Sequence, residues 1–178
     1  MKAPKLICIM GAECTGKTTL ARTLAKHFDC LWVPEHLREF CESHARTPRR
    51  DEQCRILEAQ RKAELRAQAR ATRQGQIFVF CDTAPLLTAI YSDYIFGDNT
   101  LYARARSLHA NYALTLLLQN DIAWVPDGLQ RDGPQVRAPV TELIVRELAA
   151  LALPQATVAG HADTRIAAAL AAIKTLAG

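Results

Sequence analysis

The residues best equipped for chemistry lie in the octapeptide "GAECTGKT" at positions 11–18. A glycine, four residues, then Gly-Lys-Thr is the spacing of a phosphate-holding loop. The two glycines let the backbone of Gly11, Ala12, Glu13, Cys14, Thr15 and Gly16 curl so that successive N–H groups face phosphate oxygens. The helix that follows turns its positive end toward the same anion. Lys17 then reaches the β- and γ-phosphates, and the Thr18 hydroxyl takes a place on Mg²⁺, with Thr19 beside it. Cys14 reads as a small residue at a variable loop position rather than as a redox switch.

A phosphate loop needs a carboxylate partner, and two are well spaced for it. Asp82 ends the apolar run "IFVFCDT" and is placed like a Walker B acid, which holds Mg²⁺ directly or through water, in preference to a cap for the helix "TAPLLTAIY". Glu35 follows the run "LWVPE". A carboxylate there can take the proton of an attacking alcohol or orient that alcohol, or it can pair with Arg38 on the surface. Spacing leaves the two readings of Glu35 open. Residues 120–137, "NDIAWVPDGLQRDGPQVR", combine a Trp, three acids, two glycines and two arginines in an expected lid loop that closes over phosphates and excludes water. Trp124 is expected either to close on a flat ligand or to pack into the core. Trp32, inside a strand, reads as core. His36, His44, His109 and His161 have no metal-ligand spacing.

Elements must bring these residues together. "KLICIM" is a short continuous apolar run of the kind buried on both faces of a parallel sheet. "KTTLARTLAKHF" supplies a helix with Leu20, Leu24 and Phe28 on one face and Lys26 and His27 at the end where positive charge suits the dipole. Residues 31–35, 77–83, 114–119 and 156–160 supply four further strands. Helices are expected between and after them, including a long one over 52–73 with Asp51 as its N-cap and Gly75 at its end. Strands alternating with helices imply an α/β fold, a doubly wound parallel five-stranded sheet whose ligands gather at the carboxyl ends of the strands.

Composition bounds the function. A chain of 178 residues suits one domain with one core, and no repeat or linker divides it. No apolar run approaches the roughly 18 residues needed to cross a bilayer, and the start is too short in apolar residues for a signal sequence, so a cytoplasmic protein without membrane contact is expected. The six cysteines show no CxxC spacing and read as reduced thiols. Between positions 46 and 73 nine basic residues face four acidic ones. Glu58 precedes Lys62 by one helical turn, so this stretch reads as a solvated helix face rather than a nucleic-acid site.

Taken in order, "GAECTGKTTL", "VPEHLREF", "FCDTAPLLTAIYSDYIFG", "DIAWVPDG" and "VAGHADTR" resemble the ribosylnicotinamide kinase domain of the NadR type and its stand-alone relatives, over residues 5–173. The resemblance implies a P-loop NTPase fold of the nucleoside-monophosphate-kinase kind. It also implies transfer of the ATP γ-phosphate, with Mg²⁺, to the 5′-hydroxyl of nicotinamide riboside, giving nicotinamide mononucleotide in NAD biosynthesis. It places Glu35, Arg38 and Glu39 on the substrate side, Asp82 and Thr83 near Mg²⁺ and the ribose, and Tyr91, Tyr94 and Phe96 on the pocket wall. Trp124 would stack on the nicotinamide with Asp127 close by, a cationic ring over an indole. Arg131 and Arg137 would belong to the lid, and Arg165 would lie beside the adenine. Gln130 stands where relatives commonly carry an arginine, which shifts or weakens the lid's phosphate contact. The chain holds neither an adenylyltransferase nor a DNA-binding domain, so only the kinase step is expected of it. The other expectations from sequence are a kinase for another nucleoside or small alcohol, and a nucleotide-dependent ATPase or GTPase switch without an acceptor.

Overall fold

A computed structural model describes residues 3–125 and 133–176. Its elements run β1 (Lys5–Met10), α1 (Lys17–His27), β2 (Leu31–Val33), α2 (His36–His44), α3 (Gln53–Arg73), β3 (Phe78–Asp82), α4 (Pro85–Phe96), α5 (Tyr102–His109), β4 (Tyr112–Leu118), α6 (Arg137–Leu151), β5 (Gln155–Val158) and α7 (Ala162–Lys174). The five strands form one parallel sheet in the order β2-β3-β1-β4-β5. β1 lies at its centre, with Ile9 in register with Asp82 on one side and Leu116 on the other.

Both faces of the sheet are covered, and the alternation of side chains decides which residue serves which face. Leu6, Cys8 and Met10 of β1 join Val79 and Cys81 of β3 in a core completed by Leu57, Leu86, Ile90 and Ile144 from α3, α4 and α6. Ile7 and Ile9 point the other way with Phe78, Phe80, Leu114, Leu116 and Leu118, against Leu20 and Leu24 of α1 and Ala169 and Ile173 of α7. The strand ends Met10, Val33, Asp82 and Leu118 therefore lie along one edge, where the chemistry-bearing loops emerge.

Two local expectations change. The turn before α3 is closed by Glu52 rather than Asp51. The Glu52 carboxylate accepts the Arg49 N–H at 2.8 Å and two bonds from Arg46 at 2.7 and 2.8 Å, which hold it far below the usual carboxylate range, at about 2. Glu58 is engaged across helices by Arg104 of α5 at 2.8 Å, not along its own helix by Lys62. Trp32 sits in β2 at the sheet edge, half-buried, with the Arg22 guanidinium 5.8 Å from its ring. It packs against the core on that face of the sheet, as expected, and also borders a cavity. The basic helix has the expected division: Ile56, Leu57, Gln60, Glu64 and Ala71 are buried, while Arg55, Lys62, Arg66, Arg70 and Arg73 are exposed.

Candidate active site

The loop from Gly11 to Gly16 is held closed by its own side chains. Thr15 Oγ1 donates to the Ala12 carbonyl at 2.8 Å, and Lys17 Nζ arches back to the same carbonyl at 3.0 Å. Gly11 admits no side chain, because a Cβ would come within 2.7 Å of Thr15 Oγ1 and 3.2 Å of the Leu118 backbone oxygen. Gly16 has φ +81°, the left-handed conformation open to glycine without strain, and it starts α1. Arg165 of α7 clamps the loop from behind. Its guanidinium donates to the Thr15 carbonyl, to the Gln119 carbonyl at 3.3 Å and to the Asp121 carboxylate, and its Nε donates to Gly160 at 2.8 Å.

Asp82 meets this loop from the neighbouring strand. Its Oδ2 accepts the Thr18 hydroxyl at 2.6 Å, while Oδ1 is buried with no hydrogen-bond partner. Burial first, and then the charge of Glu35, push the Asp82 carboxyl up to about 6; Lys17, the Thr18 hydroxyl and Arg38 pull the other way. An orphaned buried oxygen beside a threonine hydroxyl fits a hard cation that takes few protein ligands and several from phosphates and water, which describes Mg²⁺. Among the described residues no group of three or more His, Cys, Asp or Glu forms an alternative metal site. Thr83, next in the chain, has φ +76°, a strained conformation for a β-branched residue, and its Oγ1 is buried without a hydrogen-bond partner.

Two cavities flank the loop. The larger, about 780 Å³, is bordered by Lys17 and Thr18 on one side and by Glu35, Arg38, Tyr91 and Phe96 on the other. The smaller, about 530 Å³, lies behind Gly16 between Leu20, Thr23, Ile122, Val125 and Ile166. Apolar walls next to a phosphate loop suit a flat base. Cys14 touches both cavities, and its thiol donates to the Val125 carbonyl at 3.0 Å.

Of the expected residues, Glu13, Cys14, Thr15, Gly16, Lys17, Thr18, Thr19, Glu35, Arg38, Tyr91 and Phe96 border the larger cavity, Asp82 reaches its edge through Thr18, Gly11 and Ala12 belong to the loop without lining the cavity, and Thr83 borders a small pocket shared with Glu35. Other expected residues stand apart. Glu39 is exposed and pairs with His36 at 3.1 Å, and Tyr94 is exposed outside the cavity lining. Trp124 donates its indole N–H to Glu13 of the phosphate loop at 3.1 Å and is not among the residues that border the larger cavity. Arg165 borders the smaller cavity while its guanidinium bonds the loop and the strand ends. Arg137 opens α6 with Nε and one terminal nitrogen buried and unbonded. Asp127 and Arg131 lie outside the described residues. Arg22 and Arg49 also border the larger cavity, although nothing in their spacing marks them.

The same fold occurs in two structures of NadR, one in complex with NR and one with NAD and AMP-PNP. Each is 24% identical, with TM-scores of 0.75 and 0.78. They align over 97% of this chain, which spans about half the length of those chains, 51% and 49%. Thymidylate kinase from Ehrlichia chaffeensis aligns over 98% of this chain and 100% of its own at 16% identity and TM-score 0.67. Deoxyadenosine kinase from M. mycoides aligns over 97% and 100% at 14% and 0.64. No curated protein sequence matches the chain. The profile of the AAA domain family matches residues 6–165, from β1 through the clamp at Arg165. With its phosphate loop, the Asp82 carboxylate bonded to Thr18 and a parallel sheet in place, the chain belongs to that family of P-loop NTPase folds.

Proposed function

We propose that this protein is an ATP-dependent small-molecule kinase whose acceptor is nicotinamide riboside, phosphorylated at its 5′-hydroxyl. The observation that carries the reading is the larger cavity, in which Lys17 and Thr18 border the same space as Glu35, Arg38 and Tyr91. A nucleotide switch has no use for a second ligand pocket at its phosphate loop. The fold shared with NadR in complex with NR supports the choice of acceptor.

In this reading the acceptor oxygen attacks the γ-phosphorus, a new P–O bond forms, the bond to the β-phosphate oxygen breaks, and the hydroxyl proton passes to the Glu35 carboxylate. Glu35 is preferred to Asp82 as the base because Asp82 already accepts the Thr18 hydroxyl and faces the metal position. Thr18 and Asp82 would hold Mg²⁺, which neutralises charge on the β- and γ-phosphates when bound. Lys17 holds the transferring phosphoryl group, and Arg38 lies close enough to act electrostatically on Asp82. Trp124, whose indole N–H is held by Glu13, and Asp127 would contact the nicotinamide.

One observation favours a second reading. Arg22, Arg38 and Arg49 together border the acceptor cavity, a set suited to an acceptor that already carries a phosphate. The test is purified protein with Mg-ATP and a panel of nicotinamide riboside, other nucleosides and nucleoside monophosphates, read by product mass. Phosphorylated riboside supports the first reading, a diphosphate product supports the second, and ATP hydrolysis indifferent to every acceptor overturns both.

A further inference from the structure

Glu35 occupies the N-cap position of α2, with extended backbone, yet its side chain does not cap the helix. The first N–H of α2, that of His36, is instead accepted by the side-chain oxygen of Gln60 at 2.8 Å, from 24 positions along the chain. An exposed glutamine reaching a helix end would mean little, but Gln60 is 2% exposed, on the buried stripe of α3. That helix is fixed in turn from below. One turn on, Glu64 is fully buried, accepts the Tyr112 hydroxyl of β4 at 2.5 Å and is approached by Arg61 at 3.4 Å. Gln60 and Glu35 also border the same small pocket, together with Thr83 and Tyr91.

A backbone N–H can only donate, so the Gln60 amide must turn its oxygen toward α2. A remote acceptor thus satisfies a helix-end N–H that no side chain of α2's own N-cap reaches, while the Glu35 side chain borders the cavity. The position of the Glu35 backbone is tied through Gln60, α3 and Tyr112 to the central sheet that carries the phosphate loop. We propose that Gln60 is the positioning residue of the acceptor site, fixing Glu35 relative to the transferring phosphoryl group through the His36 N–H. This rests on the reading of Glu35 as the base in the proposed kinase reaction.

The test compares Gln60→Met, which keeps length and loses the acceptor, with Gln60→Glu, which keeps an acceptor oxygen in either protonation state. With nicotinamide riboside and Mg-ATP, Gln60→Met is expected to lower kcat by about tenfold to a hundredfold, the size of effect a misplaced catalytic group produces. Binding of a non-hydrolysable ATP analogue should stay unchanged, and Gln60→Glu should recover most of the rate. In a Glu35→Gln background the Met substitution should cost nothing further, whereas a general loss of fold would add. Amide hydrogen exchange gives an arm independent of any acceptor: His36 should lose protection in Gln60→Met and keep it in Gln60→Glu. Unchanged His36 exchange in Gln60→Met, or an additive loss in the double variant, overturns the positioning role. A Glu35→Gln enzyme with wild-type kcat overturns instead the reading of Glu35 on which it rests, whatever His36 shows.

Discussion

The Asp82 carboxyl titrates near 6 because it is buried beside Glu35, and its ionised form is the one that can hold a metal. The affinity of the protein for Mg²⁺ is therefore expected to weaken as pH drops through about 6, where the metal-free carboxyl takes up a proton; an affinity unchanged from pH 7.5 to 5 would contradict this. Glu35→Gln should lower kcat by about a hundredfold or more, the usual cost of losing a general base. Lys17→Ala should cost a similar factor by removing charge stabilisation from the transferring phosphoryl group. Both are checked by steady-state kinetics against circular dichroism of the variants. At this scale the sequence was most informative where a motif is local. Residues 11–18 could be read because their function depends on consecutive backbone groups. Gln60, Arg22 and Arg49 could not, because each gains its meaning from a partner or cavity wall brought near only by packing. Trp124 adds a partner that its type does not announce: its indole N–H is held by Glu13 of the phosphate loop.

At the scale of elements, the phosphate loop is held by glycine geometry at two positions and by the Arg165 clamp. Gly11→Ala would push a methyl group against Thr15 and Leu118, so a loss of roughly 1–3 kcal/mol is expected, with weaker nucleotide binding. Denaturant unfolding and nucleotide titration measure the two effects, and a variant with unchanged affinity would show that the loop tolerates a shift. All five strands were legible because apolar runs ending in Gly, Pro or Asp are hard to read otherwise, and their bounds moved by one or two residues. The caps were less legible. Glu52 displaced Asp51 because Arg46, six positions back, supplies a two-point partner, and Arg104 took Glu58 from Lys62 because the fold brings it, 46 positions on, within a two-point hydrogen bond of that carboxylate.

For the molecule as a whole, buried titrating groups pull in opposite directions. Asp82 and Glu64 are raised by burial, so the folded state binds their protons more tightly, which favours the fold as pH falls. His109, 1% exposed and hydrogen-bonded to Thr115 at 2.9 Å, is pushed down to about 4 by the same desolvation. It is neutral in the fold but charged in the unfolded chain below about 6.5, so it destabilises the fold as pH falls from there toward 4. The stability of His109→Gln relative to the parent protein should therefore rise steadily over that interval. A difference independent of pH, measured by urea unfolding, would show that His109 titrates normally.

The most direct measurement of the central claim is the acceptor dependence of ATP consumption. With Mg-ATP in excess, ADP is expected to form in step with added nicotinamide riboside, with the product heavier by one phosphoryl group and both signals lost in Lys17→Ala. ADP formation at one slow rate, with or without any acceptor, would contradict the kinase reading.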